Sequence, residues 1–268
     1  MSFSPFQRDG LTLRYRDVGE GLPVLFQHGL GGDEAQVADA MPETPAFRRI
    51  TLECRGQGGS PFGAAENFSI ATFTDDLSAL ADDLAIGPAV VGGISMGAAI
   101  ALRLAVRQPE KVRALILARP AWVAKPGPDN MQPYALVGDL LQRFDPVEAR
   151  KRFDASDTAA ELARLAPDNL SSLTGFFGRA EPKVFGALLS AIAADGPGVT
   201  EAEIAALDLP VLVIGHGADL AHPLAMAEGL AGLIPGAKLA RITPKAVDRD
   251  AYRREFRAAV GAFLDTLA

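Results

Sequence analysis

Gly93-Ile94-Ser95-Met96-Gly97 sets a serine between two glycines at G-x-S-x-G spacing. A serine hydroxyl is a weak nucleophile. It attacks a carbonyl carbon when it projects clear of the backbone, beside a base and opposite N–H donors. A sharp strand-to-helix turn gives the projection, and small residues two positions either side relieve the clash. The helix that follows points its N-terminal dipole at the site, where it favours a developing oxyanion. Upstream, His28-Gly29-Leu30-Gly31-Gly32 supplies a glycine-rich loop. Its Leu30 N–H can face that oxygen, with the Met96 N–H as second donor. His28 itself reads as structural, orienting the loop through a ring hydrogen bond. Downstream, Asp219 follows the apolar run Val211–Ile214. A carboxylate there can hold the proton-bearing nitrogen of an imidazole. Alone it would be a turn or helix-cap residue; its place after Ser95 makes the orienting role the expected one.

These residues need a frame. Short apolar runs at Val24–Gln27, Arg49–Leu52, Ala89–Val91, Ala114–Ala118, Val211–Ile214 and Lys238–Ile242 predict buried strands, and Leu11–Tyr15 an edge hairpin strand. Helical spacing predicts helices over Ala71–Leu84, Gly97–Val106, Pro223–Leu233 and Tyr252–Leu267. Alternating strands and helices imply a mostly parallel sheet covered on both faces. From Ala121 to Asp208 the rhythm breaks. Short helical segments, among them Thr158–Leu165, Lys183–Ala193 and Glu201–Leu207, replace strands, and Thr158 with Glu161 and Thr200 with Glu203 have capping-box spacing. Residues 1–120 and 209–268 are therefore expected to form an α/β core, and 121–208 a helical lid. Its Trp122, Met131, Tyr134, Phe144, Phe176, Phe177 and Phe185 either line a pocket or pack the lid helices.

HGLGG, Glu53-Cys54-Arg55-Gly56-Gln57-Gly58-Gly59-Ser60, GISMG and the strand ending at Asp219 with Pro223 beyond resemble, in that order, the α/β-hydrolase superfamily. The similarity is to its lidded branch of esterases, lactonases, haloperoxidase-like enzymes and epoxide hydrolases. The resemblance implies Ser95 as nucleophile, Asp219 as orienting acid, and Leu30 and Met96 as oxyanion donors. A serine at the elbow argues against the members that use aspartate there. The family's last triad residue is a histidine in the loop after the final strand. That loop here is Thr243-Pro244-Lys245-Ala246-Val247-Asp248, and all three histidines of the chain lie elsewhere.

Three side chains can be set against this gap. Lys245 would need a pKa lowered by several units. Asp219 and Asp248, if close, would raise it, so a salt bridge to Asp219 is the expected role. His216 ends a buried strand and reads as structural. His222, three residues past Asp219, is the expected base. The expected function is cleavage of a small ester or lactone through an acyl-enzyme, with neither metal nor organic cofactor. A non-catalytic binder of small ligands and a lyase or cofactor-free peroxidase remain alternatives.

The 268 residues carry a net charge of -7 and a pI near 5.1, which argues against a phosphate-backbone partner. One cysteine, Cys54, permits no internal disulfide and fits a reducing compartment. The first residues show no basic-then-apolar leader, so a cytoplasmic location is expected. The uncharged stretch from Ile86 to Leu102 is interrupted by proline and glycine and reads as strand plus helix, not a membrane span. Oligomeric state is left open.

Overall fold

The computed structural model describes residues 2–42 and 46–267. Strands β1 (Ser4–Arg8), β2 (Leu11–Val18), β3 (Leu22–Gln27), β4 (Phe47–Leu52), β5 (Ala89–Ile94), β6 (Val112–Ala118), β7 (Val211–Gly215) and β8 (Lys238–Arg241) build one sheet. Their order is β1-β2-β4-β3-β5-β6-β7-β8. The β1–β2 hairpin is antiparallel and meets β4 antiparallel, while the remaining pairs are parallel.

Alternation along the strands sends side chains to two cores. Leu25, Val91, Leu115 and Val213 face one layer, made with α2 (Ile70–Asp83), α3 (Met96–Arg107) and α10 (Leu224–Leu233). Val24, Val90, Ile116 and Leu212 face the other, made with α1 (Glu34–Ala40) and α11 (Arg249–Asp265). Because both faces are covered, the central strands read as continuous apolar runs. The uncharged stretch resolves into β5 and α3, and no helix among the described residues is long and apolar enough to cross a membrane.

Between β6 and β7 run α4 (Gln132–Arg143), α5 (Pro146–Asp154), α6 (Asp157–Leu165), α7 (Pro167–Gly175), α8 (Pro182–Ala194) and α9 (Glu201–Ala205). Helices α4 and α8 cross closely because Gly138 and Gly186 meet at the contact. A Cβ on either would lie 2.7 Å from the other's carbonyl oxygen. Thr200 and Glu203 form the expected capping box on α9. Thr158 and Glu161 do not: α6 starts earlier, with Ser156 as N-cap accepting from the Ala159 N–H. A serine just upstream of Asp157 captures the amides first, leaving Thr158 inside the helix.

Candidate active site

Ends of neighbouring parallel strands bring the chemistry together. Ser95 directly follows β5, and its N–H donates to Ala118 O at 2.9 Å, extending the ladder to β6. Its backbone lies at φ 57°, ψ −111°, a left-handed conformation that costs energy for a residue with a Cβ. The turn is tight enough that a Cβ on Gly93 would come 2.4 Å from the Gly97 backbone, and one on Gly97 2.4 Å from Gln27 O. Both glycines are therefore required by close approach.

His222 Nε2 lies 2.8 Å from Ser95 Oγ, and its Nδ1 2.9 Å from Asp219 Oδ1. The three side chains form one hydrogen-bonded chain, each buried apart from a small face. We assign the proton to Nδ1, where the carboxylate accepts it, leaving Nε2 free to accept from the hydroxyl. The His222 N–H also donates to Asp219 Oδ1 at 3.0 Å, so acid and base lock within one short loop.

A residue that sequence reasoning missed completes the cluster. Arg119, immediately after β6, donates from Nε and Nη2 to Asp219 Oδ2 at 2.9 and 2.6 Å. It holds the ion-pair position expected of Lys245. Its signal was visible: a lone arginine closing the apolar strand ALILA, next in the sheet to the serine strand. Lys245 is half-buried and makes no ion pair among the described residues. Burial lowers its pKa; Asp168 rather than Asp219 or Asp248 leads the opposing pull. The expected salt bridge and the expected upward shift are both overturned, because the loop after β8 lies apart from the carboxylate.

The electrostatics divide the roles. Burial by itself would raise Asp219, but the charges of His222 and Arg119 outweigh it and hold the carboxyl far below the usual range. Burial lowers His222; Asp219 opposes this and Arg119 adds to it. At neutral pH the pair is thus carboxylate and neutral imidazole. Burial, helped by the charge of Asp219, pushes the Tyr134 hydroxyl up to about 12.

The HGLGG loop is shaped by side chains. Gly29 N–H donates to Gln36 Oε1, Gly31 N–H to Gln57 Oε1, both at 2.7 Å, and Gly32 N–H to Gly29 O at 2.9 Å. Among the described residues, the N–H groups of Leu30 and Met96 make no hydrogen bond. Met96 adjoins Ser95 in the chain, and Leu30 lines the same cavity as Ser95. His28 donates from Nδ1 to Gly29 O at 2.8 Å and accepts the Cys54 N–H on Nε2 at 3.1 Å, the structural role expected of it. His216 donates to Gly217 O at 2.6 Å and stacks edge-on against Tyr252, with its Nε2 3.6 Å from Asp219 Oδ2.

A cavity of about 250 Å³ opens over Ser95. Leu30, Arg119 and His222 line it from below, and Tyr134, Asn169 and Phe176 from the insertion between β6 and β7. The other expected lid aromatics pack instead: Phe177 against Phe153, and Phe185 against Phe176. Among the described residues, no group of three or more His, Cys, Asp or Glu side chains is disposed to hold a metal ion.

This sheet order, with a serine at the tip of its central parallel strand, is the architecture of the α/β hydrolases. The family model described as alpha/beta hydrolase fold matches residues 23–245, and the chain belongs to that family. A pimeloyl-(acyl-carrier protein) methyl ester esterase of Aromatoleum aromaticum is 33% identical over 237 residues, covering 82% of this chain and 88% of its own. A 2-hydroxymuconate semialdehyde hydrolase of Pseudomonas sp. (strain CF600) is 31% identical over 240 residues, covering 86% and 82%. The crystal structure of the enol-lactonase from Burkholderia xenovorans LB400 shares the fold, with a TM-score of 0.75 at 24% identity over 98% of this chain and 100% of its own. These relatives are hydrolases.

Proposed function

We propose that the chain is a serine hydrolase that cleaves a small ester or lactone through an acyl-enzyme. The observation that carries the reading is the relay from Ser95 Oγ to His222 Nε2 at 2.8 Å and from His222 Nδ1 to Asp219 at 2.9 Å. Ser95 Oγ attacks the carbonyl carbon as its proton passes to Nε2. The carbonyl oxygen takes up the negative charge facing the Leu30 and Met96 N–H groups. Collapse of the tetrahedral intermediate breaks the carbon–oxygen bond, and the imidazolium returns its proton to the departing oxygen. Water, deprotonated by His222, then attacks the acyl-enzyme and frees Ser95. Asp219 keeps the ring in one tautomer and steadies its positive charge. In this reading the base has moved from the loop after β8 to the loop after β7, beside its own acid.

The relatives named as an esterase and a hydrolase support the reaction class. The cavity's size favours small acyl groups. The inserted helices act as a lid, and nothing in the chemistry requires a metal or organic cofactor. The test is hydrolysis of p-nitrophenyl acetate by the native chain, Ser95→Ala and His222→Ala. Activity in the native chain that both substitutions abolish supports the reading. Full activity in His222→Ala removes His222 as base, and an inactive native chain favours the ligand-binding alternative for this substrate class.

A further inference from the structure

The loop that carries Asp219 and His222 runs from Gly215 to Pro223, and the backbone of its last turn is tied to side chains of the insertion. The N–H groups of Leu220 and Ala221 both donate to Asn169 Oδ1, at 2.8 and 3.0 Å. The Ala221 carbonyl accepts from Asn130 Nδ2 at 2.7 Å, which also reaches Ala121 O at 3.0 Å. Both asparagines belong to the insertion between β6 and β7, and Asn169 stands in the first turn of α7. Thus the two peptide groups that lead into His222 are fixed by side chains of the inserted helices. Among the described residues those two N–H groups have no other acceptor. Asn169 is 4% exposed, so water cannot readily replace it.

Two donors converge on one atom of Asn169, which identifies that atom as the oxygen and leaves Nδ2 as the opposite arm. Nδ2 has no hydrogen-bond partner among the described residues, while Asn169 lines the cavity over Ser95. We propose that Asn169 is a positioning residue for His222, gripping the loop of the base with its oxygen and presenting its amide N–H to the oxygen of a bound substrate. With that grip in place the imidazole sits 2.8 Å from Ser95 Oγ. The proposal rests on the assignment of His222 as base.

The test uses the fact that the chain has only three histidines. Imidazole nitrogen NMR of the full chain should show all three as Nδ1–H tautomers, with His28 and His216 fixed by Gly29 O and Gly217 O as internal standards. In Asn169→Ala the His222 signals should average between tautomers while the standards stay unchanged. The kcat for p-nitrophenyl acetate should fall on the order of 10²-fold, the scale of a misplaced catalytic group. Asn169→Asp keeps the acceptor and loses the amide donor. It should restore the fixed tautomer and most of kcat, while KM rises in both variants because each lacks the amide N–H. If Asn169→Ala does not fold, Asn169→Ser, whose hydroxyl is too short to serve both amides, takes its place with the same expectation. A fixed His222 tautomer with native kcat in a folded Ala or Ser variant overturns the proposal, as does an averaged tautomer in folded Asn169→Asp. The two readings separate: activity retained in His222→Ala defeats the assignment of the base, whereas an inactive His222→Ala beside a fully active Asn169→Ala defeats this proposal alone.

Discussion

The loop after β7 and the loop after β8 emerge side by side from the same edge of the sheet, yet they are built for different work. The first is exposed only at Gly217 and Ala218, and its Asp219, Ala221 and His222 are buried and hydrogen-bonded. Asp219 alone takes bonds from Arg119 and from both the ring and the amide of His222. The second is a connector. Thr243 N–H donates to Glu255 at 2.6 Å, Asp248 caps α11, and Val247 is 73% exposed. Lys245, the one cation in that turn, pairs with no carboxylate among the described residues. A base must be held to within a fraction of an ångström and kept dry. The environment that does this lies in the β7 loop, which makes that loop, not the family's habitual position, the place to seek the base.

The strongest way to break the contrast is substitution on each side of it. Ser95→Ala and His222→Ala should each lower kcat roughly 10⁴–10⁶-fold. Lys245→Met should leave kcat unchanged, and burst kinetics with p-nitrophenyl acetate would measure all three. A loss in Lys245→Met comparable to that in His222→Ala would return the base to the β8 loop.

Asp219→Asn comes next. It turns one of the two accepting carboxylate oxygens into an N–H donor, so the ring tautomer is no longer fixed, and kcat should fall roughly 10³–10⁴-fold. The same change strands the Arg119 guanidinium, whose side chain is 13% exposed. Breaking one partner of so enclosed a pair should cost about 3–5 kcal/mol in urea unfolding. A variant that loses activity without losing stability would show that Arg119 finds another counter-charge.

Arg119 also sharpens the comparison through pH. The base acts when neutral, so kcat/KM should rise with pH through the His222 pKa. Burial first, and Arg119 after it, lower that pKa from 6.5. The acid limb should therefore lie below the ordinary histidine range. Arg119→Met removes the cation while Asp219 still favours the protonated ring, so the limb should move to higher pH. A limb unmoved in Arg119→Met would mean that desolvation sets the pKa unaided.

Much of this was legible in the sequence because it depends on local chemistry. The glycines around Ser95 are demanded by backbone contacts two residues away, and β5 and α3 follow from apolar runs on either side. His222 was accessible for a similar reason: three residues separate it from Asp219, close enough for one loop to lock both. Arg119 and Asn169 were not. Their partners lie 100 and about 50 positions away, and only strand order and the path of the insertion bring them to the β7 loop. Helices α5, α7 and α8 each begin at a proline, Pro146, Pro167 and Pro182. That start signal would have located α7, though not what its asparagine holds. Lys245 was misjudged because a sequence does not say which of two adjacent loops reaches the acid.

The smallest effect tests the β8 loop by itself. Burial lowers the Lys245 pKa from 10.5, with Asp168 opposing and Arg249 and Arg119 assisting. A lysine with a lowered folded pKa binds its proton less well folded than unfolded. The folded state is thus penalised at neutral pH, and the penalty fades as pH climbs from the folded value to 10.5. Lys245→Met keeps the volume and discards the charge. It should stabilise the protein at pH 7 by no more than about 0.5 kcal/mol, since the side chain is only half-buried. The advantage should shrink to nothing above pH 10.5 in parallel urea titrations of both chains. Stability lost at pH 7 instead would mean that the lysine charge is satisfied in the folded state, and the β8 loop would then hold an ion pair of its own.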